Sequence, residues 1–196
     1  VESSVKGIFS SLTNWSLAVI CLNSFSRMFI MQGVISTVFP LYLNHQLGIS
    51  VELIGILMAF RTAGHIVSTV TCGYLSDRFG RKPMIITGLL VQSSCMYLFT
   101  IPWPFEILTL IGFIDGFGIG MAFTSLIVLL SEIASTEVRG ASIGLYRTFM
   151  DIGGFIGPPV FMLLFNTIGS QLTFFSAAAT LMLNILLMIT IRVRKQ

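Results

Sequence analysis

The chain has 196 residues, of which 55% are hydrophobic and 10% charged, against about 25% charged in a typical soluble domain. With a mean hydropathy of +0.92, it has too few polar residues to cover a soluble surface, and intrinsic disorder is excluded on the same ground. The net charge of +3 comes from 11 scattered Lys and Arg, a pattern that marks membrane edges and points to no nucleic-acid partner. An all-α, polytopic membrane protein remains.

The chain divides into three regions. Residues 1–15 are a cytoplasmic leader or linker, 16–192 a transmembrane unit, and 193–196 a basic cytoplasmic tail. The first residue is Val rather than Met, so the chain is expected to be a piece of a longer polypeptide. In the leader, Val1, Val5, Ile8, Phe9 and Leu12 recur at helical spacing. That pattern reads as a short amphipathic helix on the membrane surface, with a disordered leader as the alternative.

A crossing helix needs about 20 apolar residues. Six candidates follow in order: Leu17 to Leu43, Val51 to Cys72, Met84 to Ile101, Phe105 to Leu130, Ala141 to Phe165, and Thr173 to Ile191. The charges support an even count. Lys6, Arg78, Arg81, Lys82, Arg139, Arg192, Arg194 and Lys195 all fall on one side of this map, and the opposite loops carry no Lys or Arg. The positive-inside rule places both termini in the cytoplasm. Cys21, Cys72 and Cys95 lie in apolar runs, without the spacing of a disulfide framework or zinc site. No metal or cofactor is expected. Without a phosphate-binding loop, an HExxH pair or clustered metal ligands, an enzyme is not expected either.

The loop after the second span reads Gly73-Tyr-Leu-Ser-Asp77-Arg78-Phe-Gly80-Arg81-Lys82-Pro83. Gly73 and Gly80 permit close approach or unusual backbone angles. Pro83 suits the first turn of a helix. Asp77 is a carboxylate among three cations; it can pair with an arginine and also face a helix N-terminus, where the dipole favours an anion.

This loop resembles the motif G-x-L-x-D-R-x-G-R-[RK] of the major facilitator superfamily. Other stretches resemble that family too: Gly116-Phe-Gly118-Ile-Gly120, Ser131-Glu132 through Glu137-Val-Arg139-Gly140, and Gly153-Gly-Phe-Ile-Gly157-Pro158-Pro159. The last is similar to the fifth-helix pattern of drug–proton antiporters. The resemblance implies six transmembrane helices forming one lobe of the fold; the amphipathic leader and basic tail favour the carboxy-terminal lobe, and the well-formed signature loop favours the amino-terminal one. A second six-helix lobe, from the same gene or from a homodimer, would complete it. It implies secondary active transport of a small solute across the plasma membrane by alternating access, with proton coupling as a further step. The alternative is a half-transporter or assembly module, active only with a second lobe. In the implied cytoplasmic gate, Asp77 is the central charge, and Gly73, Gly80, Arg78, Arg81, Lys82, Glu137 and Arg139 complete the loop.

The three remaining arginines, Arg27, Arg61 and Arg147, lie inside predicted spans, where an ionisable residue is a functional candidate by default. Arg27, Arg61, His65, Asp115, Arg147 and Asp151 are the candidates for a substrate or proton path. Arg147 and Asp151, and Arg61 and His65, stand four apart, so each pair shares a helix face. The first reads as a cavity-facing pair or a structural ion pair. Arg27 lines the cavity or pairs with a carboxylate such as Asp115 or Asp151. Gly112, Gly116 and Gly120 recur every four residues, as do Gly140 and Gly144, and Gly153 and Gly157. Such faces let helix backbones pack closely in lipid. Pro158 and Pro159 are expected to kink the fifth helix.

Overall fold

The computed structural model describes residues 14–134, 136 and 138–191. All regular structure among them is helical. The leader up to residue 13, Glu137 and the basic tail lie outside the described residues.

Helix α1 runs Trp15–His45. Asn14 caps it, its side chain accepting a hydrogen bond from the Ser16 amide at 3.1 Å. Helix α2 spans Val51–Phe79, α3 Arg81–Leu98 and α4 Phe105–Ile133. The fifth stretch, α5, spans Arg139–Thr190 and is broken at Gly169, whose φ of 82° and ψ of 171° are not helical. Backbone in that region is essentially restricted to glycine, so Gly169 separates two limbs, residues 139–168 and 170–190. Four of these helices are long and apolar enough to cross a membrane: α1, α2, α4 and α5. The third predicted span coincides with α3, 18 residues long, which opens on Arg81 and Lys82 instead of Met84 and is correspondingly less apolar.

Glycines set the helix crossings. On α4, a side chain at Gly116 would meet the Arg61 carbonyl of α2, and one at Gly120 would lie 2.6 Å from Ser68 Cβ. On α5, side chains at Gly153 and Gly157 would strike the Phe25 and Phe29 carbonyls of α1. Between α3 and α4, a Cβ on Gly88 would lie 2.6 Å from the Gly118 carbonyl. Backbone contact of this kind is how helices associate where lipid is as apolar as Leu. Gly112 faces Leu57, whose side chain would lie 3.3 Å and whose carbonyl 3.8 Å from an added Cβ. Gly140 and Gly144 have open space around them, so their four-residue spacing creates no packing face among the described residues.

Two local features mark the helices. Within α1, Met31–Val38 is π-helical. Thr37 Oγ1 donates to the Gln32 carbonyl at 2.8 Å, across the five-residue step of a π turn. The bulge lies where Gly33 meets Gly157 and Phe161 of α5. Second, α5 stays helical through Pro158 and Pro159. The Pro158 ring crowds the Gly154 carbonyl four residues back and removes one intrahelical hydrogen bond.

The ends of the bundle are tied together. Lys82 Nζ donates to the carbonyls of Ile189 and Ile191 at 2.8 and 2.7 Å. Trp15 Nε1 donates to Thr190 Oγ1 at 3.0 Å. The start of α1, the basic α2–α3 turn and the end of α5 therefore share one end of the molecule, called here the basic end. Two long faces are left uncovered. On α2 the buried residues are Ile54, Leu57, Arg61, Gly64, Ser68, Cys72 and Ser76, a single stripe; Met58 and His65 beside it are half-buried, and most of the others, including Val70 at 76% exposure, point outward. The first limb of α5 does the same, with Phe155 83% exposed.

Candidate functional site

The deepest charges meet at the α2–α4 crossing. Arg61 is residue 11 of α2 and Asp115 residue 11 of α4, so both sit roughly 15 Å from the ends opposite the basic end, at 1.5 Å per residue. Arg61 Nε donates to Asp115 Oδ2 at 2.8 Å. Asp115 is 0% exposed and Arg61 7%. The contact is single rather than forked, because Asp115 Oδ1 is buried with no hydrogen-bond partner. Gly116 beside the aspartate brings the two backbones close enough for this reach.

Arg27 of α1 lines the same small cavity as Arg61 and Asp115, together with Gln92 and Met96 of α3. It is 8% exposed. It forms no ion pair among the described residues. Its guanidinium lies 4.1 Å from the centre of the Phe123 ring, a cation–π contact that recovers part of the cost of burial. His65, one turn from Arg61, turns toward the same ring, 6.4 Å between centroids, and its Nε2 is buried without a partner. Arg27, Arg61, Asp115 and His65 thus gather around Phe123 and the α2–α4 crossing.

Arg147 and Asp151 do not join them as a pair. Both are exposed on α5 and no ion pair links them. Arg147 instead lines a cleft of about 310 Å³ between α4 and α5, with Phe123, Ile127, Ile143, Tyr146 and Met150. Tyr146 is held there by Ser24 of α1, whose Oγ donates to its carbonyl at 2.9 Å.

At the basic end, Arg81 rather than Asp77 is the hub. Its Nε donates to Glu132 Oε1 at 3.1 Å. Its other nitrogens reach Asp77 and the Ser76 hydroxyl. Desolvation opposes the charge on Arg81, but hydrogen bonds to Glu132 and Asp77 outweigh it and hold the pKa above the usual arginine value. Gly80, with φ 93°, makes the turn that folds Arg81 back. Gly73 has no neighbour crowding it. Arg78 stands 5.8 Å from the Phe79 ring, and Arg139 is exposed at the start of α5. Sequence reasoning missed Glu132, Phe123, Tyr146 and Gln92 as members of these sites. Glu132 alone carried a signal, a carboxylate at the end of α4 facing a basic loop.

Comparison with known proteins agrees with the architecture. The family model described as Major Facilitator Superfamily matches residues 17–196. The chain is similar to Multidrug resistance protein 1 of Bacillus subtilis (strain 168), 27% identical over 179 residues, which cover 91% of this chain and 46% of that protein. It is similar to Quinolone resistance protein NorA of Staphylococcus aureus (strain Mu50 / ATCC 700699), 26% identical over 147 residues, 75% of this chain and 37% of that protein. The chain therefore spans less than half the length of these curated relatives. With the family model covering nearly all of its residues, the chain belongs to the Major Facilitator Superfamily.

Proposed function

We propose that the chain forms one six-crossing lobe of a secondary transporter of the plasma membrane, with both termini cytoplasmic. A small amphipathic solute binds beside the α1–α2–α4 charge cluster, and access alternates as this lobe rocks against a second one. The second lobe is another copy of this chain or a separate six-helix unit, seated on the uncovered faces of α2 and the first limb of α5. The observation that carries this reading is the buried Arg61–Asp115 pair. Charges at this depth are costly, and one carboxylate oxygen is left without a partner. Asp115 can exchange Arg61 for a proton, which is what coupling to a proton gradient requires. The Arg81–Asp77–Glu132 network holds the basic end closed while the pair is intact. The names of the relatives, multidrug and quinolone resistance proteins, support a lipophilic cargo.

The test is uptake of a fluorescent aromatic solute into proteoliposomes with the interior more acidic than the bath. Accumulation that collapses when an ionophore abolishes the gradient is expected. Equal uptake with and without the gradient would remove the coupled mechanism.

A further inference from the structure

The cleft between α4 and the first limb of α5 has walls of Phe123, Ile127, Leu130, Ile143 and Met150. Its polar lining is Ser131, Tyr146 and Arg147, and no carboxylate lines it among the described residues. The Tyr146 hydroxyl is buried without a hydrogen-bond partner, although the residue is 2% exposed. The Phe123 ring that forms one wall carries Arg27 against it. Arg27 is more than nine-tenths buried, and its Nε likewise has no partner.

The charges around this space do not cancel. Asp115 is taken by Arg61. Arg27 and Arg147 have no carboxylate partner among the described residues. His65, whose ring contacts Phe123, adds no negative charge. Asp151 lies one turn beyond Arg147 but is not part of the lining. A low-dielectric cleft flanked by two uncompensated guanidinium groups carries a positive potential, which is amplified where water is scarce.

Resting on the transport reading above, we infer that this cleft selects lipophilic organic anions, an aromatic body with a carboxylate or sulfonate head, over cations of the same shape. The aromatic body packs against Phe123, Ile127 and Met150. The head accepts hydrogen bonds from Arg147 and the Tyr146 hydroxyl. Arg27 acts through the Phe123 wall, as a fixed charge without direct contact.

The experiment compares two probes of matched shape, naphthalene-2-sulfonate and 2-naphthyltrimethylammonium. Each is equilibrated with the purified chain in lipid nanodiscs, with empty nanodiscs subtracted. The sulfonate is expected to bind about tenfold more tightly, on the scale of one charge-assisted hydrogen bond. Arg147→Gln and Arg27→Gln should each remove most of that preference and leave cation binding unchanged or stronger. Arg147 is exposed, so its substitution does not threaten folding, and it tests the inference even where Arg27→Gln lowers the yield. Equal or tighter binding of the cation, or a preference unaffected by both substitutions, would overturn the inference. Transport separates the two readings. Gradient-driven flux of the cation alone would keep the transporter and discard anion selectivity. Sulfonate binding without flux of either probe would do the reverse.

Discussion

Breaking the Arg61–Asp115 pair from one side should cost far more than removing it whole. The two charges are 2.8 Å apart; at an effective dielectric of about 20, their attraction is roughly 6 kcal/mol. Against this stands a desolvation penalty of several kcal/mol for each ion. The pair is therefore close to neutral as a unit. Removing one partner leaves the other charge buried and alone, which costs about 3–5 kcal/mol. Asp115→Leu and Arg61→Leu should each show a loss near the low end of that range, because the pair makes one contact and not a bidentate fork. The double variant should lose less than either single one. The three free cysteines, Cys21, Cys72 and Cys95, are all buried, so a thiol-reactive fluorophore reports unfolding during a thermal ramp. A loss of 3 kcal/mol corresponds to a midpoint drop on the order of 10 °C for a chain of this size. If the double variant falls by the sum of the two single losses, the residues are not energetically coupled, and the pair has no role as a unit.

Other substitutions separate crowded from open positions. Gly116→Ala must push α2 away from α4 and should cost about 1–3 kcal/mol, whereas Gly144→Ala, with open space around it, should stabilise by about 0.5–1 kcal/mol through helix propensity; the same thermal assay reads both. Gly169→Ala, at φ 82°, should cost about 1–3 kcal/mol. Arg81→Gln removes two partly exposed ion pairs and should lower stability by only about 1 kcal/mol, so a large drop in flux with a near-normal midpoint would mark a role in gating. Lys82→Met frees the carbonyls of Ile189 and Ile191, and faster amide exchange at the end of α5 is the expected readout by mass spectrometry.

The helical runs and their ends were legible because burial in lipid demands long apolar stretches, and glycine, proline and basic residues punctuate them. Gly80 was legible as a special backbone position, and Gly116, Gly120, Gly153 and Gly157 as crossing points. Partner choice was not. Arg61 and Asp115 are 54 residues apart, and nothing local told Arg61 to choose Asp115 over His65, its neighbour on the same face. Arg147 and Asp151 have the spacing of a pair, yet they lie on an exposed face where spacing alone brings nothing together. Gly140 and Gly144 repeat the packing period but face open space, since periodicity does not say which side of a helix has a neighbour. The π-helical turn at Met31–Val38 depends on how α1 meets Gly157 and Phe161, a tertiary contact with no local signal. The break at Gly169 falls in the segment the sequence left between two spans, and only the backbone angle identifies the residue.

Alternating access makes a demand that one labelling experiment can meet. Met150 lines the α4–α5 cleft, and Met150→Cys places a thiol there while the native cysteines stay buried. The protein is reconstituted with two lobes present, as two copies of this chain or with a second lobe, and treated with a membrane-impermeant maleimide from each side in turn. Transport by alternating access predicts that adding solute and a proton gradient lowers labelling from one side and raises it from the other. Labelling from one side only, at a rate indifferent to solute and gradient, would contradict it.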